Sequence, residues 1–557
     1  MTPIGRRTRG HFDCVVLGGG ITGAGVARDA AIRGLRTLLI DSNDFASGTS
    51  HVTSKVIHGG LRYLEHGHFR LVLEGIAERD RLLNRIAPNL VRPLKFVMPF
   101  EPHRMPKWLL TLSGVELYGF IERLRTGRRS SSMSAMRLAR DYPALRPHPF
   151  GVSFWDAQAD DARLVMAALR AAHAGGAELR NYVQLTSARF DGDSWTLLLS
   201  DVLSDHQDTV QAKVMVNATG PWSPITSNLL GADPLDLMWI KGSHILFHRS
   251  AKFGRDAVII RSVRDQRPLW VIPWEKRIIV GTTESKYSGD LRDIRASGEE
   301  VDDLFSSFLR YFPSLIRSRE DIVGAYAGVR PIVRQAKESE NELSRRHQII
   351  INRDHRLISI TGGKLTTFRK MAEESMDQVC SMLQRPRDSA EVRHRLRNEM
   401  LWPGLAPRQA GKLSDDLRQR HRHSRRESAS VDRLVQLYGG DARMILERIR
   451  SEASTADAVE EGLPYCPAEL IYLCRAEQVR TLLDLAKRRT SIYFHAAGGG
   501  VEALSRVGDA LAKELGWDAA RLRAELAALE REFQADCAAL RGGATHESAI
   551  PLHGVAV

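Results

Sequence analysis

Gly18, Gly20 and Gly23 fall in the spacing G-x-G-x-x-G, and Asp41 follows about 20 residues later. The first glycine allows a tight turn, the second lets backbone approach a pyrophosphate, and the third lets a helix pack closely. A carboxylate at Asp41 can accept hydrogen bonds from a ribose hydroxyl. This is the chemistry of holding a dinucleotide, and the spacing does not separate NAD from FAD. The elements that must position these residues can be read around them. Asp13–Leu17 is a short valine-rich run and predicts a buried parallel strand. Thr22–Arg33 predicts a helix whose N-terminal N–H groups and dipole face the phosphates. Thr37–Ile40 predicts the next strand, ended by Asp41. Ile21, Thr22 and Ser42 adjoin these turns and are expected to contact the cofactor.

At 557 residues the chain exceeds one ordinary core, so two or three domains are expected. Its apolar fraction is ordinary, but its formal charge is +13. Basic residues cluster at Arg6–Arg9, Arg123–Arg129 and Arg418–Arg426, which suits nucleic acid, anionic lipid, a phosphorylated substrate or a solvated surface. Five cysteines show neither metal spacing nor a disulfide framework, which fits a reducing compartment and predicts no metal. No apolar stretch reaches the length of a membrane-spanning helix and no signal peptide is evident, so a soluble or peripheral protein is expected.

After Asp41 the chain turns small and polar at Ser47, Gly48, Thr49, Ser50, Thr53 and Ser54, then runs through Lys55, His58, Gly59, Gly60, Arg62 and Tyr63. The segment TSKVIHGGLRYLEHGHFRLV resembles the signature of the FAD-dependent (aerobic, respiratory) glycerol-3-phosphate dehydrogenases, within the flavoprotein superfamily typified by D-amino-acid oxidase. The resemblance continues in VNATGPW (Val216–Trp222), IKGSHILF (Ile240–Phe247), VIPWEKRIIVGTTE (Val271–Glu284), YAGVRPIV (Tyr326–Val333), TGGKLTTFRKMAE (Thr361–Glu373) and ELIYLCRAEQVRTLLDLAKRRT (Glu469–Thr490). His51 in the polar loop and Glu284, where the family usually has Asp, depart from its pattern.

The resemblance implies an α/β chain. A Rossmann-type FAD-binding domain carries an inserted mixed β-sheet substrate domain and is followed by a helical C-terminal domain. The expected boundaries are 1–383 for the FAD domain, with cap segments near 88–212 and 235–330. A linker at 384–398, helices over 399–545 and a disordered tail at 546–557 complete the chain. Asp160 and Asp161 are expected to cap a helix over Ala162–His173, and C-terminal helices are expected at Val431–Tyr438, Ala442–Ile449, Ala468–Arg488, Val501–Leu515 and Ala519–Phe533. Trp108–Ile121, apolar with basic ends, suits a helix lying in a bilayer surface.

Oxidising the secondary alcohol of glycerol 3-phosphate to dihydroxyacetone phosphate requires cations for the phosphate and a group to take the hydroxyl proton, with hydride passing to FAD. By resemblance Arg62, Tyr63 and Lys364 hold the phosphate and Arg330 lies nearer the reacting oxygen. An Arg fork or a Lys point charge suits such oxygens. His244 is the first candidate to take or relay the proton; alternatively Arg330 stabilises the developing alkoxide and water accepts the proton. His58 has a similar claim, and its expected role is to support the loop or the flavin. The remaining cofactor contacts implied are Thr49, Ser50, Ser54, Lys55, His58, Gly59, Gly220, Gly363, Lys364, Leu365, Thr366 and Thr367. Quinone is the expected electron acceptor, and the expected location is the cytoplasmic face of the cell membrane, held peripherally. A homodimer is left open. The rival readings are an oxidase using oxygen, an amine oxidase with no use for phosphate-directed cations, and a flavin-bearing nucleic-acid-binding protein. The last is disfavoured because Arg418–Arg426 has no interleaved aromatic.

Overall fold

Residues 10–60, 69–101, 118–119, 127–233, 235–333, 347–386, 388–420 and 425–541 are described in the computed structural model. Val15 and Val16 are fully buried in a strand, His11–Leu17, that pairs in parallel with Thr37–Ile40 on one side and Gln207–Asn217 on the other. The sheet extends through the parallel strands Glu178–Arg180 and Leu357–Thr361 to the antiparallel edge Gln348–Asn352. Between the first two strands runs the helix Ile21–Ile32. Its Ala24, Ala27 and Ala30 are fully buried, because small side chains let it lie close to the sheet and to the helices Asp161–Ala174 and Phe368–Met382. This is the Rossmann-type unit expected from the glycines.

A second, mixed sheet runs in the order Ser285–Lys286, Leu237–His248, Arg277–Gly281, Pro268–Trp274, Ala257–Arg261, Val91–Phe100, Phe150–Ala159 and Val56–Ile57. Ile322–Val333 pairs antiparallel along Leu237–His248, setting Arg330 opposite Ile240 and Tyr326 opposite His244.

Three boundaries depart from expectation. The first cap segment does not reach residue 212. Val183–Phe190 and Trp195–Asp201 form a hairpin continuing onto Gln207–Asn217 in the nucleotide sheet, their alternating pattern being equally suited to either sheet. The stretch expected as a linker carries the helix Ala390–Asn398, capped by Ser389 and anchored by buried Leu396. The expected helix Ala468–Arg488 is interrupted: Pro467–Ala476 ends before Gln478, at φ +50°, and a wide π-type turn covers Asp484–Arg489. The helix Pro407–Arg420 falls within the stretch 399–545 expected to be helical, where it had no range of its own. Of the two expected caps, Asp160 caps the helix Asp161–Ala174, accepting from the Arg163 amide, whereas Asp161 is the first residue of the helix.

The C-terminal helices share one apolar core with the mixed sheet, with Trp274, Ile279 and Tyr326 among Leu470, Leu485 and Phe494. Arg418 and Arg420 are ion-paired with Asp415, Asp432 and Asp416, so this part of the basic cluster is balanced by its own neighbours. Arg6–Arg9, most of Trp108–Ile121, Arg123–Arg125 and the 546–557 tail lie outside the described residues. Among the described residues, no helix is long and apolar enough to cross a membrane.

Candidate cofactor and substrate site

A cavity of about 790 Å³ opens beside the N-terminus of the first helix. Gly18 is at φ +101°, and a Cβ there would stand 2.6 Å from the Ala218 carbonyl oxygen. Gly20 is the helix N-cap and contributes no side chain to the helix end, and the first turn holds no acid. The Ser50 hydroxyl accepts from the Ile21 amide at 3.1 Å. A helix N-terminus whose cap residue brings no side chain, next to bare backbone, has the makings of a phosphate cradle, with Ser50 covering only its first amide. Asp41 lines the same wall. Its Oδ2 accepts from the Gly19 amide at 2.7 Å and its Oδ1 from the Asn43 amide at 2.9 Å. Burial pushes its carboxyl up to about 7.

Of the cofactor residues read from the sequence, Gly18, Gly20, Ile21, Thr22, Asp41, Ser42, Thr49, Ser50, Gly220, Gly363, Lys364 and Leu365 line this cavity. Thr49 donates to the Val329 carbonyl at 2.6 Å, tying the polar loop to the strand that carries Arg330. Arg330 and Lys364 line the cavity as well. The Arg330 guanidinium is 3.3 Å from Glu284, and the two are ion-paired. His51, the other departure, bonds the Ala46 and Gly48 carbonyls at 2.9 and 3.0 Å and folds inside the loop.

The other residues have structural partners instead of cavity faces. Gly23 packs against the Gly18 carbonyl. The Lys55 ammonium is buried against Asp161 at 2.5 Å, over the Trp274 ring. The His58 amide donates to Thr366 Oγ1, which donates back to the His58 carbonyl, and the Gly59 amide donates to Asp156. Thr367 Oγ1 donates to the Lys364 carbonyl at 3.4 Å. Ser54 bonds His244 Nε2 at 2.8 Å. His244 itself stands behind the cavity wall, 1% exposed and stacked on Tyr326. Its Nδ1 is buried with no hydrogen-bond partner among the described residues. Burial, then the charges of Arg330 and Lys55, lowers its pKa to about 3. Arg62 and Tyr63 lie outside the described residues.

Other walls were not read from the sequence: Val183–Leu185 on the nucleotide sheet, Trp222, Ile225 and Leu229 on the turn and helix after Gly220, Trp239, and the loop Gly289–Arg292. Trp222 ends the VNATGPW motif and carried a signal; Arg292 carried none. Among the described residues no group of His, Cys, Asp and Glu could hold a metal.

A Rossmann-type sheet whose glycine turn opens on a cavity lined by two cations has the fold and site of a dinucleotide-binding protein. The FAD dependent oxidoreductase family matches residues 13–369, and the C-terminal domain of alpha-glycerophosphate oxidase matches residues 408–522. The aerobic glycerol-3-phosphate dehydrogenase of Escherichia coli K12 is 33% identical over 86% of this chain and 93% of its own. The D-erythritol 1-phosphate dehydrogenase of Brucella abortus is 31% identical over 87% and 95%. The crystal structure of the glycerol-3-phosphate dehydrogenase from Bacillus halodurans complexed with FAD superposes with a TM-score of 0.75, 28% identity and coverage of 94% and 95%. The chain belongs to the FAD-dependent oxidoreductase family, in the branch that contains the glycerol-3-phosphate dehydrogenases.

Proposed function

We propose that the chain oxidises sn-glycerol 3-phosphate to dihydroxyacetone phosphate and passes the electrons to membrane quinone, from a peripheral position on the inner face of the membrane. The observation that carries this reading is the placement of Arg330 and Lys364 on the FAD cavity, where a small phosphorylated alcohol needs fixed positive charge. Bound FAD supplies the two-electron acceptor. Gly18, Gly20 and the first helix hold its phosphates, and Asp41 a ribose hydroxyl. Lys364, with Arg62 and Tyr63, binds the substrate phosphate.

Arg330 stabilises negative charge as it develops on the reacting oxygen, and Glu284 holds its guanidinium. The hydroxyl proton passes to water in the cavity, because the His244–Ser54 pair is buried behind its wall. The imidazole is neutral because of burial and the Arg330 charge, and a substrate dianion beside Arg330 offsets the second cause. Exposed Ile225 and Leu229 on the cavity wall support an apolar approach for quinone.

Two observations favour second readings. The C-terminal match to an alpha-glycerophosphate oxidase domain favours oxygen as acceptor, and the Brucella relative favours D-erythritol 1-phosphate as substrate. Turnover assays separate them. Quinone reduction with little oxygen uptake, and preference for glycerol 3-phosphate over the erythritol ester, support the proposal. Oxygen uptake at the same rate without quinone, or the reverse preference, contradicts it.

The neutral state of His244 carries a pH prediction. With its pKa lowered from 6.5 to about 3, the imidazole is proton-free in the unliganded enzyme throughout the working range. The kcat/KM profile therefore has no acid limb near pH 6.5 that His244→Asn removes. A limb from the substrate phosphate persists in that variant. A limb lost in the variant would show that His244 titrates at its ordinary value.

A further inference from the structure

We infer that the C-terminal helical region positions the FAD-binding loop through a buried ion cluster that joins Arg488 and Arg489 to Asp44. This rests on the cavity holding FAD and is independent of which alcohol is oxidised.

Asp44 sits in the middle of the loop that lines the cavity on both sides of it, with Asp41 to Asn43 before and Ser47 to Ser50 after. Its own side chain faces away from the cavity lining and is fully buried. The carboxylate receives four N–H donors. Arg488 Nε donates to Oδ2 at 2.5 Å, and Arg489 donates through Nη1 to Oδ2 and Nη2 to Oδ1, both at 2.7 Å. Asn181 Nδ2 donates to Oδ1 at 2.9 Å. The bidentate Arg489 fork fixes direction as well as distance.

Both arginines are anchored on their own side. Arg488 Nη2 donates to Asp484 at 2.7 Å, and Arg489 Nε to the Glu477 carbonyl at 2.9 Å. They lie on the wide turn Asp484–Arg489, inside the Glu469–Thr490 motif and more than 440 residues along the chain from Asp44. Tyr182 adds a second tie, its amide donating to the Asn43 carbonyl at 3.0 Å and its hydroxyl to Asp484 at 2.7 Å.

The loop needs such a hold. Ala46 is at φ +62°, in the left-handed region that an alanine rarely adopts, and its amide donates to the Gly19 carbonyl at 3.1 Å, inside the glycine turn of the phosphate cradle. A strained residue persists only where its surroundings over-determine it. Here the surroundings include a charge cluster supplied from the far end of the chain. Burying these ions is a poor way to gain stability alone, but it makes the loop geometry and the C-terminal turn depend on one another. Coupling of that kind is reciprocal: if the turn sets the loop for FAD, FAD must in turn steady the turn.

The test uses the full-length protein, stripped of flavin and titrated with FAD by flavin fluorescence, for wild type, Asp44→Asn and the milder Arg489→Lys. The expected result is a Kd raised about tenfold or more in the variants, within the usual range of coupling between sites, and a smaller gap between the melting temperatures of the FAD-loaded and stripped forms. Hydrogen exchange reads the reverse direction in wild type alone, where FAD should slow exchange of the Asp484–Ser491 amides. Folded variants with wild-type Kd and an unchanged gap, or no FAD-dependent protection of that turn, would overturn the inference. Wild-type protein that bound no FAD would instead overturn the cofactor reading itself.

Discussion

Arg330→Ala is expected to keep its FAD and lose flavin reduction by glycerol 3-phosphate, with kcat/KM down by about 10²–10³, the cost of removing one donor from a developing oxyanion. Arg330 lines the cavity from the strand Ile322–Val333, next to Val329, whose carbonyl holds Thr49. The cation is thus built on a sheet, where its position is fixed by register against Ile240, and not on a mobile arm. Lysine retains the charge but not the planar fork, so Arg330→Lys should recover only part of the loss. Stopped-flow reduction separates this from a binding defect: a lower limiting rate places Arg330 at the reacting oxygen, whereas a raised substrate Kd with an unchanged limiting rate would place it at the phosphate.

The largest effect on the cofactor is expected at Gly18. Gly18→Val puts a β-branched side chain at φ +101° and drives its Cβ to 2.6 Å from a backbone oxygen, which cannot move aside as a side chain can. The turn must open, and the cradle for the phosphates opens with it. The variant should purify colourless, with FAD affinity weakened by about 100-fold or more, equivalent to about 2.7 kcal/mol. Gly34→Ala is the control. Gly34 has a similar backbone, φ +72°, but open space around it. That change should cost about 1–2 kcal/mol of stability from left-handed strain alone and leave the flavin bound. Yellow Gly18→Val protein with wild-type FAD affinity would show that the cradle is misplaced.

The parts of this protein that local chemistry dictates were legible in its sequence. The strand, glycines, helix and Asp41 could be read because each is set by its immediate neighbours, and so could the Asp160 cap. The cavity wall that these residues form follows from them. What failed to be legible is set by distant partners. Lys55 sits among motif residues, yet its ammonium belongs to Asp161, 106 positions away. His58 and Gly59 adjoin the cavity loop in sequence, but their amides serve Thr366 and Asp156. The break in the expected helix Ala468–Arg488 has the same origin. Glu477 takes the Arg163 guanidinium at 2.6 Å and Asp484 takes Tyr182, and no periodicity reports such long-range pairing. The hairpin Val183–Asp201 alternates as a strand in either sheet would, so its assignment to the cap was a choice that pattern alone could not make.

That the cationic cavity is a flavin site for a phosphorylated alcohol can be checked by mixing the FAD-loaded protein with glycerol 3-phosphate without oxygen and following the flavin absorbance. Rapid bleaching is expected, at a rate that saturates with substrate and that Arg330→Ala and Lys364→Ala, still holding FAD, largely lose. A bound flavin that stays oxidised in the presence of glycerol 3-phosphate would contradict it.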